Sequence, residues 1–172
     1  MELENKKYML KRVNLGCGDE YLNGWINVDN RSNIKKDKSF DLNKFPYPFK
    51  NSEVDECLIK NTLPQLSDPI KVINEMVRIT KPQGKITIIE CHATNYSTFT
   101  FPIPNTINIT ENTFDEKGLK LFELENKIKL VNQEFIYTHK WKKFIPFKHA
   151  LKIFLMGLYD KIRFEFKVIK SK

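Results

Sequence analysis

The apolar positions in the first half of the chain come in short blocks. Residues 12–15 (RVNL) form one that runs straight into Gly16-Cys17-Gly18, and residues 25–28 form a second that ends at Asp29. Residues 39–41 are a short third candidate strand, and residues 54–59 (VDECLI) are a fourth. Residues 85–91 (KITIIEC) are a nearly continuous β-branched run, the pattern of a strand buried on both faces. Between the last two blocks the period changes. Ile70, Ile73, Met76 and Val77 recur at helical spacing and give one apolar stripe. Asp68-Pro69 starts this helix, with Asp as the cap and Pro at the first helical position. Lys81-Pro82-Gln83-Gly84 cannot continue it, so it ends near Thr80. Strands separated by crossovers predict a parallel sheet in an α/β layer fold.

Past residue 92 the pattern loosens. Residues 93–113 are rich in Thr, Asn and Pro and read as a long irregular loop, a feature that in compact domains is usually functional or mobile. Residues 119–137 hold two strand-like stretches, and residues 147–159 fit an amphipathic helix. Residues 162–169 (IRFEFKVI) alternate apolar and polar positions, as a half-exposed strand does. The sequence has no repeats, linkers or low-complexity segments, so residues 1–172 are expected to form one domain.

Composition excludes several classes. A chain of 172 residues with 41% apolar and 29% charged positions suits one folded domain, not a disordered segment. No stretch reaches the roughly 18 apolar residues of a spanning helix. The first residues, MELENKKYMLKR, lack the apolar core of a secretory signal. Cys17, Cys57 and Cys91 are odd in number and far apart, which supports neither a disulfide framework nor a zinc site. No metal and a reducing, cytoplasmic setting are therefore expected. The net charge of +8 is concentrated: residues 1–115 carry 15 Lys/Arg and 15 Asp/Glu, whereas residues 116–172 carry 14 against 6.

A strand that ends in Gly16-Cys17-Gly18 lets a ligand approach the backbone without side-chain interference. The dinucleotide pattern G-x-G-x-x-G would need a third glycine where Tyr21 stands, and an acid about 20 residues on. Asp29 follows Gly18 by only 11 residues, too few for a crossover helix and a strand, so a nicotinamide cofactor is disfavoured. A plain tight turn is the bland alternative. Against it, Asp29 sits where a second strand ends, in the crevice where open α/β sheets bind ligands. A carboxylate there can accept hydrogen bonds from a ribose diol. Asp41 ends the third candidate strand, in position to meet an adenine amino group.

Val13-Asn14-Leu15-Gly16-Cys17-Gly18 followed by Gly24-Trp25-Ile26-Asn27-Val28-Asp29 resembles the class I S-adenosylmethionine-dependent methyltransferases, and among them the compact members with L-N-L-G-C-G and then G-W-I-N-V-D. Asp41-Leu42 before Phe45-Pro46-Tyr47-Pro48-Phe49, the stretch Asn51-Ser52-Glu53-Val54-Asp55, Leu66-Ser67-Asp68-Pro69, and residues 75–84 (EMVRITKPQG) follow that family's order. The resemblance covers roughly residues 10–92. It implies a Rossmann-like, mostly parallel sheet of seven strands with an antiparallel last strand, a place that residues 162–169 suit. It implies S-adenosylmethionine as cofactor, with Leu15, Gly16, Cys17 and Gly18 facing its methionine moiety, Asp29 its ribose, and Asp41 with Leu42 its adenine. Residues 1–92 would then be the cofactor half and residues 93–172 the acceptor half.

The acceptor side departs from the family pattern. Where many relatives read S-H-V-L-E-H-L, this chain has Lys60-Asn61-Thr62-Leu63-Pro64-Gln65-Leu66, and Gln83 replaces one glycine of K-P-G-G. A sulfonium methyl is already activated, so the main task is to hold an acceptor atom in line with it. A hydroxyl acceptor also benefits from a general base. His92 is the candidate base, with a hydrogen-bonded loop histidine as the alternative. Asn61 is a candidate for orienting cofactor or acceptor, or else caps backbone groups. Asn61-Thr62-Leu63-Pro64 is not the N/D-P-P-Y/F signature of exocyclic-amine methylation.

Residues 139–149 (HKWKKFIPFKH) interleave cations with aromatics. They suit phosphates and stacked bases, or an anionic membrane with Phe154, Leu155 and Met156 dipping into the interface, or simply a solvated face. The leading expectation is a small methyltransferase acting on a small-molecule or saccharide acceptor. The contrasting ones are a non-catalytic S-adenosylmethionine-binding module and a peripheral membrane or RNA-binding protein. Oligomeric state is not legible.

Overall fold

The computed structural model describes residues 10–96, 98, 106–151 and 157–169. The described strands are β1 (Arg12–Leu15), β2 (Ile26–Val28), β3 (Val54–Lys60), β4 (Thr80–Cys91), β5 (Ile128–Ile136) and β6 (Lys161–Val168). They form one sheet in the order β2-β1-β3-β4-β6-β5. β1, β2, β3 and β4 are mutually parallel, and β6 lies antiparallel to both β4 and β5. This is the expected Rossmann-like arrangement with one reversed C-terminal strand. The sheet has six strands among the described residues rather than seven. Residues 39–41 form no strand; the third strand shrinks to a single parallel bridge between Val28 and Lys38.

The first crossover has no helix, as the 11-residue gap requires. Without a helix, its backbone polar groups need other partners. Asn27, fully buried, supplies them: its side-chain amide donates to the carbonyls of Leu22 and Trp25 and to Asp37, and its carbonyl accepts from the Leu22 N–H at 2.9 Å. Buried Asn14 adds bonds to the Glu20 carbonyl and to Asn27. Those two asparagines do for the loop what a helix ladder would have done.

Helix α1 (Pro69–Ile79) joins β3 to β4. Asp68 caps it by accepting from the Lys71 N–H at 2.9 Å, and Pro69 occupies the first turn, as the sequence predicts. Val72, Ile73, Met76, Val77 and Ile79 are buried on its sheet-facing stripe, and Ile70 is half-buried. Gln83 takes a positive φ of 66° in the turn before the long run of β4. From the inner edge of that run, Ile86 and Ile88 pair across to Phe166 and Phe164, and all four are fully buried.

The C-terminal half differs from expectation in one element. The first strand-like stretch of residues 119–137 is not a strand. A short helix, α2 (Glu116–Leu121), occupies it, started by Asp115 accepting from the Gly118 N–H at 2.8 Å. The cap overrides the local β pattern. Phe114, just before it, packs edge-on against Phe164 and Phe166 at 5.0 and 5.4 Å between ring centres. Among the described residues, helix α3 (Lys148–Leu151) falls within the predicted amphipathic helix. Phe154, Leu155 and Met156 lie outside the described residues. No helix among the described residues is long and apolar enough to cross a membrane.

Candidate functional site

The C-terminal ends of β1, β2 and β3 meet at one cavity of about 660 Å³. Gly16, Cys17, Gly18, Asp29, Asn30, Arg31 and Asn61 line it, with Asn14, Leu22, Leu58 and Thr62 among the others. Five of the sequence-predicted site residues (Gly16, Cys17, Gly18, Asp29 and Asn61) therefore share one space. Leu15 is fully buried in the core behind the turn. Asp41 and Leu42 do not line the cavity: the Asp41 carboxylate accepts from the Asn43 N–H at 2.9 Å, and Leu42 is buried.

The turn is preorganised by its own bonds. The Cys17 N–H donates to the Val28 carbonyl at 2.9 Å, and the Gly18 N–H donates to Oδ2 of Asp29 at 2.9 Å. Oδ1 of Asp29 accepts from the Arg31 N–H at 3.0 Å and more distantly from Arg31 Nε at 3.4 Å. Burial of Asp29 pushes its carboxyl upward, but the Arg31 and Gly18 amide bonds outweigh this and leave it below the usual carboxylate range. A carboxylate offers roughly four lone-pair sites, so Asp29 keeps capacity for a ligand hydroxyl, and the long Arg31 contact is the one a diol would replace.

Glycine is required at position 16 for a reason the sequence did not reveal. Its φ is +68°, and a Cβ there would lie 2.6 Å from Thr62 Cγ2. Thr62 lies over the turn, with its hydroxyl bonded to the Lys60 carbonyl at 2.9 Å and reaching the Gly16 carbonyl at 3.3 Å. Asn61 holds a positive φ of 50°, its N–H bonded to the Ile89 carbonyl. At the rim, Lys60 and Glu20 form an ion pair at 2.5 Å.

A second cavity of about 370 Å³ lies beside the first, and Asn61 and Gln65 line both. Its other lining residues include Pro64, Glu90, Asn95, Thr98, Ile109, Thr138, Asp160 and Lys161. Glu90 was missed in the sequence, although a carboxylate inside the buried run KITIIEC was a signal. It is 2% exposed, and its Oε1 accepts from the N–H groups of Thr62 and Leu63, both at 3.0 Å. Burial pushes its carboxyl up to about 7, against the pull of those two amides and of Lys161.

His92 lines neither cavity. It is buried, with Nδ1 2.9 Å from the Thr94 hydroxyl and Nε2 3.0 Å from Glu111, and its ring packs on Tyr159. Asp160 ties the cavity wall together: its carboxylate accepts from the Thr138 N–H at 2.7 Å and from Lys142 at 2.6 Å. The three cysteines carry no disulfide, and among the described residues no group of His, Cys, Asp and Glu could hold a metal ion.

Comparison with known proteins fits this geometry. Residues 27–88 match a family described as a methyltransferase domain. No curated protein sequence matches the chain. Among solved structures, a chain from the complex of the Haloferax volcanii Trm112 methyltransferase activator with a methyltransferase is similar at a TM-score of 0.66 and 14% identity, over 94% of this chain and 84% of that one. An S-adenosylmethionine-dependent methyltransferase from Mesorhizobium loti is similar at 0.63 and 11%, over 92% and 90%. The [4+2]-cyclase SpnF is similar at 0.62 and 11%, over 94% and 76%. Identities this low establish a shared fold.

Proposed function

We propose that this chain, an S-adenosylmethionine-dependent methyltransferase by its domain and its fold, methylates a small polar acceptor, with a saccharide-type molecule as the leading class. The observation that carries this reading is the pair of cavities that share Asn61 and Gln65 at the C-terminal ends of the parallel strands. One cavity is built like a cofactor site and the other is lined by amides, hydroxyls and charged groups. The larger volume falls within the roughly 300–1,000 Å³ of small-molecule sites. Its donor set fits the cofactor: an ionised Asp29 for the ribose, a close-approach turn at Gly16 and Gly18 for the amino-acid end, and Leu22 and Leu58 as apolar wall.

S-adenosylmethionine supplies, when bound, a methyl group already activated on sulfur. The chain's own residues hold and orient. Asp29 and the turn fix one partner, Asn61 and Gln65 stand at the boundary, and the second cavity receives the acceptor. The segment after β4 is tied back beside the second cavity, where Ala93 donates to the Ile109 carbonyl and the Thr106 hydroxyl bonds the Pro64 and Leu66 carbonyls. Transfer of a labelled methyl group to a panel of sugars, phenols and amines tests the reading. Cofactor binding with no transfer to any of them favours the contrasting reading, a binding module on the same fold. A shared fold does not fix a reaction.

A second reading concerns the basic segment. Its Lys140–Phe144 portion is a 3₁₀ turn, in which residues three apart eclipse. Trp141 and Phe144 therefore share a face, are 64% and 82% exposed, and are followed by Phe147 at 84%. Exposed aromatics beside lysines suit an anionic bilayer surface better than a solvated face. Sedimentation with vesicles of anionic lipid, compared with neutral vesicles and with RNA, tests it. Binding to RNA alone would replace the membrane with nucleic acid.

A further inference from the structure

We propose that the smaller cavity is a general-base acceptor site in which Oε2 of Glu90 takes the proton from a hydroxyl of a small polar substrate such as a sugar. This rests on the methyltransferase reading and deepens it. The geometry separates the two oxygens of Glu90. Oε1 is fixed by the Thr62 and Leu63 amides at the start of the 3₁₀ turn Leu63–Gln65. Oε2 makes no hydrogen bond among the described residues. It is not a sealed orphan either, because the buried side-chain atom left without a partner there is Arg12 Nε. A residue that lines the cavity thus presents it with one anchored and one available oxygen.

Position adds to the argument. Glu90 stands one residue from the end of β4, and its two amide donors belong to the segment after Asn61, the residue shared with the cofactor cavity. The acceptor atom would lie between a base and the boundary with the methyl donor. His92, by contrast, spends both ring nitrogens on Thr94 and Glu111. The charged and titratable groups facing the same cavity are Cys91 on β4, and Asp160 with Lys161 at the start of β6. Lys161 favours the ionised form of Glu90, and burial opposes it, which leaves the group ionising near neutral pH.

The bookkeeping of the step is simple. The acceptor O–H bond breaks, its electron pair stays on oxygen and forms the new bond to carbon. The proton goes to Oε2 of Glu90, and the departing thioether keeps the electron pair of the old bond to the methyl. A neutral hydroxyl needs this base, whereas a free neutral amine would attack without one. The polar lining of Asn61, Gln65, Asn95, Thr98 and Thr138 suits a molecule with several hydroxyls.

Glu90→Gln tests the inference, because the glutamine carbonyl still accepts from Thr62 and Leu63. Four readouts are needed. In carbon-detected NMR of glutamate-labelled protein without cofactor, one carboxyl should titrate near neutral pH in wild type and be missing from the Glu90→Gln spectrum. S-adenosylhomocysteine binding should stay within about twofold of wild type, while methyl transfer to hydroxyl acceptors falls by about 100-fold or more. The rising limb of the wild-type pH profile should vanish in the variant. The proposal is overturned if no carboxyl titrates above about pH 6, if Glu90→Gln transfers within about threefold of wild type, or if wild type methylates amines but no hydroxyl. In each of these cases, retained S-adenosylhomocysteine binding keeps the parent reading. Loss of that binding in wild type would remove both.

Discussion

The Gly18 N–H donates to Oδ2 of Asp29 at 2.9 Å, so the end of β2 holds the turn that follows β1. The acid and the glycine turn are one unit. Asp29→Ala should therefore both weaken cofactor binding and loosen the turn, with a loss of about 1–3 kcal/mol in chemical denaturation. The folded-state carboxyl lies below the unfolded value, so this contribution is present above about pH 4 and is lost as the pH falls through the folded value. A stability profile of Asp29→Asn should be flatter than wild type in that acid window.

Gly16→Ala should cost about 2–4 kcal/mol, from a left-handed φ together with a Cβ pressed into Thr62. The double variant with Thr62→Ala should recover part of the loss, because the two closest atoms are gone. Urea melts of the four proteins in this cycle would show it as a favourable coupling. Strict additivity would mean that Thr62 does not set the need for glycine.

Arg78 and Glu75 clamp the Pro-rich loop onto α1. Arg78 bonds Glu75 at 2.7 Å and donates to the Tyr47 and Phe49 carbonyls, and Glu75 accepts from the Tyr47 N–H. Both side chains are largely buried, at 25% and 12% exposed. Arg78→Ala should lower unfolding stability by about 2–4 kcal/mol, near the cost of stranding one partner of a buried pair. Burial raises the Glu75 carboxyl, but its bonds to Arg78 and Tyr47 win and lower it overall. Its support is thus complete above about pH 4.5 and fades below, so acid unfolding of Glu75→Gln should show less pH dependence there.

Gln83→Gly should raise stability by about 0.5–1 kcal/mol, because Gln83 is exposed and pays the left-handed penalty at φ 66° with no side-chain hydrogen bond among the described residues. Thermal melts would register an increase. A decrease would mean that the side chain contributes a contact of its own.

Residues 10–92 were the more legible part of the sequence. Gly16, Gly18 and Asp29 each end a strand, and strand ends in a parallel sheet converge by topology, so order along the chain nearly implies proximity. The helix at 69–79 announced itself through Asp68, Pro69 and the stripe of Ile73 and Met76. Residues 39–41 misled because single β-prone positions carry no register. Residues 119–121 misled because the Asp115 cap outweighs a local apolar pattern. Glu90 was hidden for a different reason. A charge in a buried strand has meaning only when its partners are known, and Thr62 and Leu63 lie 28 and 27 residues away in sequence. Asp41 shows the limit in the other direction, since its place in the motif order did not put its side chain in the cavity lining.

The most direct test of the account is calorimetry of the wild-type chain with S-adenosylhomocysteine, S-adenosylmethionine and NAD, repeated on Asp29→Ala. The account predicts one saturable site for both sulfur ligands, little or no heat from NAD, and affinity weakened at least about tenfold by Asp29→Ala, which is roughly 1.4 kcal/mol. Folded wild-type protein that binds neither sulfur ligand, or that binds NAD better than either, would contradict it.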